Sequence, residues 1–272
     1  VLHGIGESLL NPALPEITAL VKQRGANAVM NSNGTVANRD RHERLVAAGL
    51  DELRISIDAG TAETYAQIRG SDRFDRVQHN VAMVAAIKRA LGVDTPRVSL
   101  WVTGIDANIQ ELPMVVQLAH DLGVREVYLQ RLVTSERGLA IHAQSLVRRR
   151  DHAGAVIQKA AALAEQLGVA LRGSGNTAGA DVTISSVDEA RESWRGCRRP
   201  WTLVYVTANG NVLSCCIAPF TGVPHEALVL GNVFEQPLET IWHGASYETW
   251  RAAMHSSAPP LPCQRCGRDW SL

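Results

Sequence analysis

The chain has 272 residues, enough for one large domain and a small appended one. Its 27 basic and 27 acidic side chains cancel, and charged residues make up 20% of the chain, so no general affinity for nucleic acid or for an anionic membrane surface is expected. No apolar run is long enough to span a bilayer and no secretory signal leads the sequence, which points to a cytoplasmic protein.

The first four residues, Val1-Leu2-His3-Gly4, read as the end of a buried strand entering a glycine turn. Domains rarely begin inside such a motif, so the sequence is expected to be a piece of a longer protein that starts upstream. Short β-branched runs then follow at Ala28–Asn31, Leu53–Asp58, Arg97–Val102 and Glu126–Gln130. Amphipathic stretches alternate with them: Leu14–Arg24, Arg39–Ala48, Val77–Leu91 and Ile109–Leu122. Each is followed by a glycine where a left-handed cap belongs, at Gly25, Gly49, Gly92 and Gly123. Strict alternation of strand and helix predicts an α/β fold with a parallel sheet and right-handed crossovers. In such folds the chemistry sits in the loops after the strands.

An alanine-rich helix is expected from Asp151 to Gln166, and a polar, glycine-containing connector from Gly173 to Ser186. From Trp194 onward the character changes to short strands, turns and one late helix, Leu238–Met254. The domains predicted are therefore 1–150 as the α/β body, 151–193 as helix and linker, and 194–272 as a small C-terminal domain.

All five cysteines fall in that last part: Cys197, Cys215, Cys216, Cys263 and Cys266. Cys263-Gln264-Arg265-Cys266 has the spacing that lets two thiolates hold one metal from a tight turn. Cys197 and Cys215 flank two β-rich runs joined through Asn209-Gly210, a strong hairpin signal, so they should meet at the hairpin's open end. Two thiols from a hairpin and two from a C-x-x-C turn make a four-thiolate site, and disulfides are disfavoured in a cytoplasmic chain. Zinc and an iron–sulfur cluster both suit such a site. Cys216 is left over, as a spare ligand or a small buried hydrophobe. The nine histidines form no ligand-spaced pair.

The pattern Cys197-x12-Gly210-x4-Cys215 followed by Cys263-x-x-Cys266 resembles the SPASM/twitch auxiliary-cluster domain of radical S-adenosylmethionine (SAM) enzymes. Pro200-Trp201, Cys215-Cys216, Leu230-Gly231-Asn232-Val233 and Thr240-Ile241-Trp242 support it. The first domain is similar to that family as well. Gly4-Ile5-Gly6-Glu7 resembles the family's glycine-rich segment after the second strand, with Ser8 where proline is usual. Asn31–Thr35, Arg54–Ala59 and Ile68-Arg69-Gly70 resemble later strand ends and loops in order.

The resemblance spans nearly the whole chain and implies a partial (βα)6 TIM-like barrel plus a small β-hairpin/helix iron–sulfur domain. It implies that Gly4, Gly6 and Glu7 receive the SAM amino group and that Arg69 reaches its carboxylate. Asn33, Ser56, Asp58 and Asn108 are the other expected cofactor contacts. Cys197, Cys215, Cys263 and Cys266 are the expected ligands of one auxiliary [4Fe-4S] cluster. The family's catalytic [4Fe-4S] cluster needs a C-x3-C-x2-C motif, and no cysteine precedes Cys197. That second cluster is expected upstream of Val1, and the chain as given is expected not to cleave SAM.

In intact form the resemblance implies an oxidoreductase or maturase that uses a 5′-deoxyadenosyl radical to modify a substrate, with a peptide or protein favoured. A dehydrogenase of a small sugar-like or alcohol substrate and a non-catalytic metal-bearing scaffold are the alternatives. A reducing partner such as flavodoxin or ferredoxin is implied; a nucleic-acid or membrane partner is not.

Overall fold

A computed structural model describes residues 1–132, 144–174 and 193–264. The chain divides into two compact units. The first carries a parallel sheet and its helices. In chain order these are α1 (Leu14–Gln23), β1 (Val29–Ser32), α2 (Arg39–Ala47), β2 (Glu52–Ser56), α3 (Ala62–Arg69), α4 (Phe74–Leu91), β3 (Arg97–Gly104), α5 (Leu112–Asp121), β4 (Glu126–Arg131), α6 (Arg150–Leu167) and β5 (Ala170–Gly173).

The five strands pair in sequence order, all parallel, as expected for successive βα units wound in one direction. This is the α/β architecture of a partial TIM-like barrel. At the outer edge of β1, the Leu2 N–H donates to the Val29 carbonyl at 2.6 Å. Leu2 and His3 are half-buried there.

Side chains alternate across the sheet. Leu53 and Ile55 are buried, and Ile55 reaches the side of the sheet where Val77 of α4 lies. Each such residue removed from water contributes about 1.5–3 kcal/mol. Arg54 and Ser56 point to the other face. There a chain of ion pairs crosses four strands: Arg54–Glu52 at 2.9 Å, Glu52–Arg97 at 2.9 Å, Arg97–Glu126 at 2.8 Å and Glu126–Arg172 at 3.1 Å. Above it, the Arg54 guanidinium lies 4.6 Å over the Trp101 ring, which stacks on Tyr128 at 4.1 Å.

Two elements of this unit escape the sequence reading. Helix α3 begins at Thr61, whose hydroxyl caps the Thr64 N–H, and closes on Gly70 at φ +62°. Strand β5 is only four residues long, follows the Gly168 cap, and pairs with β4 within the stretch read as helix and linker.

The second unit holds α7 (Arg199–Thr202), β6 (Tyr205–Val206), β7 (Asn211–Leu213), β8 (Val229–Asn232), α8 (Leu238–Trp242) and α9 (Ala245–Met254). Strands β6, β7 and β8 form an antiparallel sheet in that order. Gly210 turns the hairpin at φ +83°, and a Cβ there would sit 2.5 Å from Asn232 Oδ1, so only glycine fits. The single late helix expected over Leu238–Met254 is two helices. Gly244 is extended (φ −81°, ψ 165°), and a Cβ there would lie 2.8 Å from the Thr240 carbonyl oxygen, so the chain breaks and restarts at this point. Among the described residues no helix is long and apolar enough to cross a membrane.

Candidate functional site

In the first unit a cleft of about 860 Å³ opens at the C-terminal ends of β1 and β2. Gly4, Gly6, Glu7, Asn33, Ser56 and Arg69 line it, so six of the eight expected cofactor residues meet in one place.

Glu7 ties the N-terminal segment to the loop after β1. Its carboxylate accepts the Ser32 hydroxyl at 2.8 Å, the Asn33 N–H at 2.7 Å and the Leu9 N–H at 3.0 Å. The loop is built locally as well. Asn33 Oδ1 accepts both the Thr35 N–H (2.9 Å) and its hydroxyl (2.7 Å), an Asx turn. Gly34 follows at φ +70°, where a Cβ would strike Val77 at 2.8 Å.

Arg69 sits in the last turn of α3. It donates to the Ser56 carbonyl at 3.0 Å and pairs with the Asp58 carboxylate at 3.2 Å.

Asp58 and Asn108 do not line the cleft; they brace it. Asp58 stands at φ +56°, a conformation that a non-glycine residue adopts only when its surroundings hold it there. The Thr103 N–H donates to its carboxylate at 2.6 Å, and Asn108 Nδ2 donates to its carbonyl at 2.9 Å. Burial pushes the Asp58 carboxyl up, against the pull of Arg69 and Thr103.

A second brace is Glu111. Its carboxylate accepts the N–H groups of Gly60 and Thr61 and the hydroxyls of Thr61 and Thr64, at 2.6–3.0 Å, and so fixes the start of α3. Burial alone would raise its pKa; the Thr64 and Thr61 hydroxyls and the two N–H groups outweigh that and hold it below the usual carboxylate value.

The cleft also contains residues that the sequence reading did not single out as cofactor contacts: His3, Asn31, Tyr65 and Ser71. Asn31 was findable, since the strand period of two puts it on the same face as Asn33. Tyr65 depends on α3, whose signal is the Thr61 cap. Asn31 Oδ1 and Ser71 Oγ are buried and have no hydrogen-bond partner among the described residues. Burial lowers the pKa of His3, and Arg54 adds to it.

In the second unit, Cys197 follows a short 3₁₀ turn, Ser193–Gly196, and its N–H donates to the Trp194 carbonyl at 3.0 Å. Cys215 follows β7, and burial pushes its thiol up, against the pull of the Ile217 and Ala218 backbone N–H groups. Cys263 ends another 3₁₀ turn, Leu261–Cys263. These three and Cys216 are half-buried and form no disulfide among the described residues, and all four pack against one buried core of Tyr205, Leu213, Ala218, Leu228, Trp250 and Met254.

Cys266 lies outside the described residues. Among those described, no three His, Cys, Asp or Glu side chains stand close enough to hold an ion. Tyr247 closes the other side of β7: its hydroxyl donates to the Leu213 carbonyl at 3.3 Å, and burial pushes its pKa up to about 12.

Residues 197–267 match the SPASM family, an iron–sulfur cluster-binding domain. The chain is 26% identical over 257 residues to an AdoMet-dependent heme synthase of Methanosarcina barkeri, covering 90% of this chain and 68% of that protein. Over 128 residues it is 35% identical to a probable GTP 3',8-cyclase of Saccharolobus islandicus, covering 47% of this chain and 39% of the relative. The fold is that of SuiB from Streptococcus suis, with a TM-score of 0.68 at 14% identity over 95% of this chain. The chain spans 60% of the length of SuiB. With the cleft at the strand ends and the thiols gathered on a separate core, these similarities agree: residues 197–267 match the SPASM family, and the chain is similar along its length to radical SAM enzymes that carry such a domain.

Proposed function

We propose that the protein containing this chain uses SAM and iron–sulfur clusters to modify a peptide or protein substrate. The observation that carries the proposal is the gathering of Glu7, Arg69 and two orphaned buried oxygens, on Asn31 and Ser71, in one cleft. SAM presents an ammonium, a carboxylate and sugar hydroxyls, and those side chains are their chemical complements. Glu7, with Gly4 and Gly6 leaving backbone access, holds the ammonium, and Arg69 holds the carboxylate. Asn31, Ser56 and Ser71 lie within reach of hydroxyls in the same cleft. Asp58, Asn108 and Glu111 act through Arg69 and α3, as positioning residues.

When bound and reduced, a [4Fe-4S] cluster supplies the electron that splits SAM into methionine and a hydrogen-abstracting 5′-deoxyadenosyl radical. The cysteines for that cluster are not among the five of this sequence. Cys197, Cys215, Cys263 and Cys266 form the site of the auxiliary cluster. Their donor chemistry fits it: the three that are described are half-buried thiols outside any disulfide, and they pack against one core. A reductant such as flavodoxin or ferredoxin is the electron source. Support for a peptide substrate comes from the fold shared with SuiB, which has also been solved bound to the precursor peptide SuiA.

The test uses the full coding sequence, including any segment upstream of Val1, purified without oxygen. Brown colour, matched iron and sulfide, release of 5′-deoxyadenosine from SAM with dithionite, and a mass change in a peptide encoded nearby are expected. Clusters without SAM cleavage would leave a scaffold. Cleavage stimulated only by a sugar or alcohol would move the substrate class.

A further inference from the structure

Two indole N–H groups in the second unit, on Trp194 and Trp250, are buried without an acceptor among the described residues. A buried donor left unmatched costs about 1–3 kcal/mol, and each one in a native fold calls for a cause. Their location supplies one. Trp250, in α9, is part of the buried core against which Cys197, Cys215, Cys216 and Cys263 pack, and Trp194 packs against that core beside them. Both orphaned donors and all four described thiols therefore share one small region.

Other donors nearby are used. Tyr247 Oη donates to the Leu213 carbonyl, and Arg251 donates to the Pro200 carbonyl at 2.9 Å and the Trp242 carbonyl at 2.8 Å. The third orphaned donor of the unit, Arg251 Nη2, belongs to a guanidinium lying over the rings of Trp242 and Tyr247, 4.2 and 4.7 Å from their centroids. The two tryptophans have neither arrangement, and the core that they share also carries the four described thiols.

We propose that Trp194 and Trp250 donate their indole N–H groups to sulfur atoms of the cluster held by Cys197, Cys215, Cys263 and Cys266, and so raise its reduction potential. The inference rests on the reading of those cysteines as cluster ligands. A hydrogen bond to a cluster sulfur stabilises the extra negative charge of the reduced state more than the oxidised one. Phenylalanine keeps the ring and removes the donor.

The experiment is a redox titration of the auxiliary cluster, followed by electron paramagnetic resonance, in the anaerobically reconstituted full-length protein. Trp250→Phe and Trp194→Phe should keep their iron and sulfide and shift the potential downward. Trp242→Phe, on the other side of the sheet, should not. If Trp250→Phe fails to fold, β-(3-benzothienyl)alanine at position 250 preserves the shape and still lacks the N–H. Pulsed resonance in deuterated buffer should show an exchangeable proton coupled to the cluster that disappears in each of these variants. An intact cluster with unchanged potential and unchanged proton coupling overturns the role of the tryptophans alone. A wild-type protein that binds zinc or no iron overturns the cluster reading, and this proposal with it.

Discussion

The carboxylate of Glu7 accepts the backbone N–H of Asn33 at 2.7 Å, joining two segments 26 residues apart at the mouth of the cleft. One side chain thus shapes the loop after β1 and presents charge to the cleft. Glu7→Gln keeps the size, removes the charge and turns one acceptor into a donor. Hydrogen bonds to charged groups are worth about 1.5–3 kcal/mol, so SAM affinity should fall by roughly tenfold or more. Calorimetric titration of the full-length protein measures this, and an unchanged affinity would remove Glu7 from the site.

Asp58 separates backbone from charge. Asparagine tolerates a positive φ nearly as well, whereas alanine adds about 1 kcal/mol of strain. Asp58→Ala should therefore be less stable in urea than Asp58→Asn by about that amount. Both should weaken SAM binding, because Arg69 loses its partner in each. Equal stability of the two variants would show that the backbone at position 58 relaxes.

Glu111 predicts a dependence on acid. Its pKa in the fold lies below the unfolded value of about 4.3, so its stabilisation is present above that pH and is lost as pH falls through the folded pKa. Glu111→Gln should cost about 2 kcal/mol at neutral pH. The gap from wild type should narrow below about pH 4. Urea midpoints measured across that range test the sign, and a constant gap would mean that the charge is irrelevant.

The thiols predict a division among the five cysteines. Serine at Cys197, Cys215, Cys263 or Cys266 should lower auxiliary iron and sulfide and destabilise the second unit, since metal binding and folding are coupled at such sites. Cys216→Ser should retain the iron. Iron analysis with thermal melts, before and after anaerobic chelation, decides it. Loss of iron in Cys216→Ser would make that residue a ligand.

Much of the fold was legible because its signals are local. The four predicted strands and the caps at Gly25, Gly49, Gly92 and Gly123 stand where the β-branched runs and glycines place them, each glycine at positive φ. Helix α3 was missed although Thr61 caps it and Glu63 stands in its first turn; Glu111, which also holds its start, lies about fifty residues away in sequence. Strand β5 was missed because four residues carry too little periodicity. In the cleft, the expectation for Gly4, Gly6, Glu7, Asn33, Ser56 and Arg69 came from the family resemblance, and of these Asn33 and Ser56 stand at strand ends. Asp58 and Asn108 sit at strand ends too, but which way a side chain turns there depends on Thr103 and Arg69, contacts that no local pattern reveals.

The ladder Arg54–Glu52–Arg97–Glu126–Arg172 alternates in sign over its whole length. Reversing any one member sets it against its neighbours, and neutralising either glutamate leaves two guanidiniums facing each other without a mediator. Sequence drift at these five positions is therefore locked in step: the row tolerates compensated pairs of changes and resists single ones, so among descendants of this protein these positions should vary together or not at all.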